Sequence, residues 1–111
     1  MIEFEKINFN DAIIKDIRID PVNIEIDYID WQEKGHTLIF CNQISLFSLS
    51  PHGKALSHGE LESHGSYLIE CCEATEEESV ASFMVFNFVD AWGGRKILRI
   101  VAERFERVSH S

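Results

Sequence analysis

Residues 22–29 read Val22-Asn23-Ile24-Glu25-Ile26-Asp27-Tyr28-Ile29. Val22, Ile24, Ile26 and Tyr28 fall at alternate positions, with Asn23, Glu25 and Asp27 between them. A period of two puts the apolar set on one face of an extended chain, so this stretch predicts a half-buried strand. Ile13, Ile17 and Ile19 stand upstream at odd positions, with Lys15 breaking the row, and Asp20-Pro21 separates the two segments. Proline presets a turn dihedral, so the pair predicts a β-hairpin.

Working outward, residues 31–35 (Trp-Gln-Glu-Lys-Gly) read as a loop with a turn glycine, and Thr37 to Cys41 as a short apolar strand. In the run Gln43 to Leu49, Ile44 and Leu46 share one phase and Phe47 and Leu49 the other. That shift predicts a bulge or two successive strands. Residues 50–65 are rich in Ser, His and Gly and read as a loop. Tyr67 to Ala74 reads as a short helix in preference to a strand, and Thr75 to Ser79 as an acidic break. Val80 to Val89 carries Phe, Val and Met on both parities, as a central strand covered on both faces does. Asp90 to Gly94 then turns the chain, since Gly93-Gly94 accepts positive φ. Residues 96–108 fit two patterns. Leu98, Ile100 and Ala102 alternate as in a strand, while Ile97, Val101, Phe105 and Val108 recur as on a helix. Arg99, Glu103 and Arg107 would be helical charge pairs. The strand is preferred, because a Gly-Gly turn should return the chain along 80–89.

The expected fold class is therefore α+β, mainly β: an antiparallel twisted sheet of about five to seven strands with one short helix. The 111 residues, 45% hydrophobic and 26% charged, suit a single domain spanning 1–111. No apolar run is long enough to span a membrane. The opening Met1-Ile2-Glu3-Phe4-Glu5 lacks a basic start and an apolar stretch, so no signal peptide is expected. Three cysteines, two of them adjacent, make no disulfide framework and point to a cytoplasmic protein.

The net charge is −9, unevenly spread. Residues 1–94 hold 17 acidic against 5 basic side chains, net −12, and residues 95–111 hold 2 against 5, net +3. Most of such a surface repels nucleic acid and attracts a basic partner. The acidic side chains Glu60, Glu62, Glu70, Glu73, Glu76, Glu77 and Glu78 are the candidate contact surface. Trp31 and Trp92, both beside turns, are candidate anchors. A homodimer formed through an exposed sheet edge is a further expectation.

His-Gly recurs every six residues, at His52, His58 and His64. In an extended chain this even spacing puts three imidazoles on one side, where they could ligate zinc, copper or nickel. Cys71, Cys72, Glu60 or Glu62 could complete such a site. A metal- or small-ligand-binding module at residues 51–65 is thus the alternative reading. Against it, the spacing is not that of a zinc finger and the stretch is broken by glycines, so no cofactor is expected. A Cys71 or Cys72 nucleophile paired with a loop histidine would need a lowered thiol pKa. The carboxylates around these cysteines act the other way. No nucleophile elbow, phosphate-binding loop or dinucleotide fingerprint is present, so no enzyme activity is expected.

The stretch Phe9-Asn10-Asp11-Ala12-Ile13-Ile14-Lys15-Asp16-Ile17-Arg18-Ile19-Asp20 resembles the opening of many small bacterial domains. Their pattern is Phe-His-Asp-Ala-x-Leu/Ile-x-x-Ile-x-x-Asp, and Asn10 stands here where it has His. Residues 37–40 (Thr-Leu-Ile-Phe), Gln43-Ile44, and residues 98–102 (Leu-Arg-Ile-Val-Ala) with Val108 look similar to their later strands. Some of these domains are immunity proteins of polymorphic or contact-dependent toxin systems. The resemblance implies a cytoplasmic binding protein that neutralises a cognate toxin, such as a basic nuclease domain, by covering a basic surface or active site. It transfers no site residue, and it favours the strand reading of 96–108.

Overall fold

Alternating isoleucines form the hairpin that their spacing predicts. β1 (Ile13–Ile19) and β2 (Asn23–Ile29) pair antiparallel, with Ile17 opposite Ile26 and Ile19 opposite Ile24. Asp20 shapes the turn: its Oδ1 accepts from the N–H groups of Val22 and Asn23 at 2.8 and 2.7 Å. Ile24, Ile26 and Tyr28 are buried, whereas Val22 lies before the strand and is exposed. The computed structural model describes residues 3–77 and 80–110.

Downstream come β3 (Gly35–Cys41), β4 (Ser45–Ser48), β5 (Leu56–Glu62), the helix α1 (Ser66–Ala74), β6 (Met84–Asp90), β7 (Lys96–Ala102) and β8 (Arg104–Ser109). Single 3-10 turns lie at Phe4–Lys6 and Val80–Ser82. The fold is mainly β with antiparallel pairing and one helix, as expected. Its strands number eight and divide into two four-stranded sheets, β1-β2-β3-β8 and β4-β7-β6-β5. Residues 96–108 are strand, but broken in two. At Glu103 the chain leaves the second sheet, the Glu103 N–H bonds to the Cys41 carbonyl, and β8 joins β3 in the first sheet. The β3–β4 connection crosses beside it, with Ile44 N–H bonded to Val101 O. No helix among the described residues is long and apolar enough to cross a membrane.

The inner faces of both sheets share one core. Ile14, Ile24, Leu38 and Phe40 contribute from the first, and Leu56, Phe86, Phe88 and Ile100 from the second. Phe4 sits between them. Its ring centroid lies 5.6 Å from Phe9, 6.2 Å from Phe40, 5.2 Å from Phe86, 5.4 Å from Phe88 and 5.5 Å from Phe105. Most of these contacts are edge-to-face, the geometry that the ring quadrupoles favour. A second, smaller cluster lies on the outer face of the second sheet. There Leu68 and Cys72 of α1 pack on Phe83, Val85 and Val101.

One expectation fails: residues 50–65 are not one loop, because β5 runs through them. Two features hide the strand's period. A bulge between Leu56 and His58 shifts its phase, and the core-facing position between Leu56 and Leu61 is Gly59. A Cβ on Gly59 would lie 2.6 Å from Phe4 Cε2 and 3.1 Å from Phe9 Cε2. The apolar residue missing from the pattern is supplied from outside the strand, by Phe4.

Phe4→Ala is expected to cost about 3–5 kcal/mol in urea unfolding, and Gly59→Ala about 1–3 kcal/mol from overpacking. Because the two side chains compete for one space, the double variant should cost clearly less than the sum. Additive costs would contradict the packing described.

Candidate functional site

The histidine repeat is explained by its glycines. Gly53 turns the chain at φ +77°, Gly59 makes room for Phe4, and Gly65 precedes α1 at φ +123°. Each answers a different backbone demand. The histidines themselves are separated. His52 lies in the turn before β5. His58 lies on β5, with Nε2 2.7 Å from Glu60 Oε2. His64 lies in the turn after it, with Nδ1 3.2 Å from Ser63 Oγ. Among the described residues no three His, Cys, Asp or Glu side chains gather as metal ligands do. His52, His58 and His64 therefore do not form the three-imidazole site that an extended chain would give. Cys72 is no better placed as a nucleophile. It is fully buried on the inner face of α1, and burial, with lesser contributions from Cys71 and Glu77, pushes its thiol pKa up. A raised pKa removes the thiolate that a nucleophile needs.

The acidic candidates separate into two groups. Glu62 is spent inside the protein. Its Oε2 accepts from Asn87 at 2.7 Å and Arg99 at 2.8 Å, with Lys96 Nζ at 3.5 Å. Burial raises its pKa, but the Asn87 and Arg99 hydrogen bonds and the Lys96 and Arg99 charges outweigh that and hold it below the ordinary carboxylate value. Arg99 also bonds Asn87 Oδ1 at 2.9 Å, and its guanidinium lies 3.9 Å from the Tyr67 ring centroid. This cluster ties α1 to the sheet. Glu60 is likewise held by His58.

Glu70, Glu73, Glu76 and Glu77 differ. They lie on or just past α1, all exposed, and none forms an ion pair among the described residues. Glu78 lies outside the described residues. Leu68 and Cys72 point inward, while Ile69, Glu70 and Glu73 form the outer face. The helix closes with Glu77 N–H bonded to Cys72 O and Glu76 N–H bonded to Glu73 O. This is a Schellman closure, with Glu76 at φ +59° where glycine usually stands. Helix C-termini carry partial negative charge, so carboxylates there are unfavourable. No basic side chain lies in the last turn to offset them.

The two tryptophans are displayed alike. Trp31 is 59% exposed in the β2–β3 turn and Trp92 is 89% exposed in the β6–β7 turn. Each turn is tied by an aspartate. Asp30 Oδ1 accepts from Gln32 N–H and Lys34 N–H, at 2.9 and 3.0 Å, and Asp90 Oδ1 accepts from Gly93 N–H and Arg95 N–H, at 3.2 and 2.9 Å. The candidates do not converge on one surface. α1 packs near the start of β6, Trp92 follows its far end roughly 20 Å along the strand, and Trp31 belongs to the other sheet.

Sequence reasoning missed a polar network that fastens β8 to the first sheet. His36 Nε2 lies 2.8 Å from Asp30 Oδ2, its Nδ1 lies 2.9 Å from Ser109 Oγ, and Tyr28 stacks on its ring at 5.0 Å. Beside it, Thr37 Oγ1 donates to Asp27 Oδ1 at 2.7 Å and lies 2.8 Å from His110 Nε2. Asp27 is also held by Arg18, which bonds Asp16 and Glu25 as well. A shallow cleft of about 390 Å³ runs past Asp27, His36 and His110. Partners 73 residues apart leave no local sequence signal.

No protein-family model, curated protein or solved structure matches the chain.

Several aspartates are held below their ordinary pKa by hydrogen bonds: Asp20 by Asn23 and Val22, Asp27 chiefly by Arg18, Asp30 chiefly by His36, and Asp90 by Arg95 and Gly93. The unfolded chain binds protons first, so acid favours unfolding. The stability these groups confer is present above an unfolded aspartate pKa of about 4. It should be lost progressively as pH falls from there through the folded values. Urea midpoints across this range should drop with acid, and Asp30→Asn should flatten the profile. A midpoint indifferent to acid would be the contrary result.

Proposed function

We propose that the chain is an immunity-type binding protein that neutralises a cognate bacterial toxin, acting in the cytoplasm by occlusion and without catalysis. The contact surface is the outer face of α1 with its following turn: Glu70, Glu73, Glu76 and Glu77, with Ile69 among them. The observation that carries this reading is energetic. Three carboxylates, Glu73, Glu76 and Glu77, crowd the negative end of a helix, unpaired among the described residues, with Glu70 one turn before them, and Glu76 occupies a glycine position. The three at the helix end are unfavourable for folding, and local conflicts of this kind are retained where function needs them. A face of this sign steers a basic partner and matches a nuclease cleft lined with lysine and arginine. It disfavours nucleic acid as a direct ligand. The resemblance of residues 9–20 to immunity-type domains supports the same reading.

The experiment is co-expression with the product of the adjoining upstream reading frame, read as rescue from its toxicity, using Glu70→Lys with Glu73→Lys, and separately Glu76→Gly. The double reversal should abolish protection while raising stability by about 0.3–1 kcal/mol, from the Glu73 position in the last turn. Glu76→Gly should stabilise the fold by about 1 kcal/mol. Full protection by the double-reversal variant would refute the assignment of the face.

A further inference from the structure

The end of the second sheet away from α1 has the opposite character. A surface depression of about 330 Å³ there is lined by Leu49, Lys54, Trp92, Arg95 and Ile97, with Asp90 at its edge. Trp92 is the most exposed large apolar side chain among the described residues, and Leu49 is 46% exposed beside it. A tryptophan carries roughly 150–250 Å² of surface, most of which is left in water here and is available for burial by a partner. The turn that presents it is fixed: Asp90 accepts from Gly93 N–H and Arg95 N–H, and Asp90 N–H bonds to Arg95 O at 3.0 Å. A rigid aromatic on a fixed turn loses little conformational entropy on binding, as interface anchors do.

Charge selects the occupant. Lys54 Nζ donates to the Leu49 carbonyl at 3.3 Å, and neither Lys54 nor Arg95 forms an ion pair among the described residues. Asp90 beside them accepts from the turn N–H groups and offsets one of the two positive charges, leaving a net of one. In a chain of net charge −9 this is a local cationic, apolar spot. Screening limits its reach to about 8 Å at physiological salt. A short acidic segment is therefore attracted to it, whereas a long polyanion would meet the acidic remainder of the surface.

We infer that the β6–β7 turn is a second docking site, which takes a short protein segment carrying a carboxylate next to a leucine or aromatic side chain. The apolar side chain packs on Trp92 and Leu49, and the carboxylate lies between Lys54 and Arg95. This site is independent of the α1 face.

The test is selection of a random peptide display library on the full chain, with Trp92→Ala and Arg95→Glu chains as counter-targets and Trp31→Ala as control. All three substitutions are in exposed turns, and far-UV circular dichroism checks their folds. The expected result is enrichment of peptides with Asp or Glu beside Leu, Phe or Trp. Synthesised singly, these should bind about tenfold or more weakly to the Trp92→Ala and Arg95→Glu chains and unchanged to Trp31→Ala. Enrichment of basic peptides, or no enrichment that depends on Trp92, overturns the proposal. So does Trp92-dependent binding of single-stranded oligothymidine, which would make the occupant a nucleic acid. Self-association lost in Trp92→Ala would make it a second copy of the chain. None of these outcomes bears on the α1 face, whose failure is read by the charge reversal there.

Discussion

The ring of Phe4 lies where the two sheets face each other, edge-on to Phe86, Phe88, Phe40 and Phe105. It is placed by a single 3-10 turn at Phe4–Lys6 rather than by a strand. β5 supplies no side chain at the matching position: Gly59 leaves the space, and the ring fills it. Interiors pack at crystal-like density, so such a fit cannot be loosened without cost. The rest of the second sheet follows. With β5 anchored as an edge strand, β6 becomes central, covered on one face by the shared core, while on the other Val85 packs under α1 and Asn87 is held by Glu62 and Arg99.

This constraint explains which parts of the fold were legible beforehand. The β1–β2 hairpin announced itself because Ile24, Ile26 and Tyr28 bury one clean face. The β6–β7 hairpin did so through its apolar run and Gly93-Gly94, whereas Tyr67 to Ala74 read only as a helix in preference to a strand. β5 stayed hidden because a bulge and a glycine erased its alternation. The division of residues 96–108 between two sheets was hidden because β7 and β8 are each strands in their own right. What separates them is a long-range bond from Glu103 to Cys41, which no local pattern reports.

The site was legible in part. That acidic side chains would be exposed follows from composition, but which of them are free does not. Glu62 and Glu70 are alike in sequence; one is fixed by Arg99 and Asn87, and the other faces outward from α1. Trp92 was expected as an anchor within the acidic surface, and the fold sets it instead beside Lys54 and Arg95. The histidine repeat looked like the most chemical feature of the chain. It arises from three glycines with separate backbone duties, and its imidazoles go different ways.

Two surfaces of opposite sign thus sit at opposite ends of one sheet, each bearing exposed apolar side chains on a rigid support. Under the proposed function, the α1 carboxylates steer a basic partner. The most direct measurement is the stopped-flow association rate with the product of the adjoining upstream reading frame, as a function of ionic strength. With electrostatic steering the rate should fall by about tenfold or more from low to physiological salt. A rate indifferent to salt, or no complex at any salt, would contradict it.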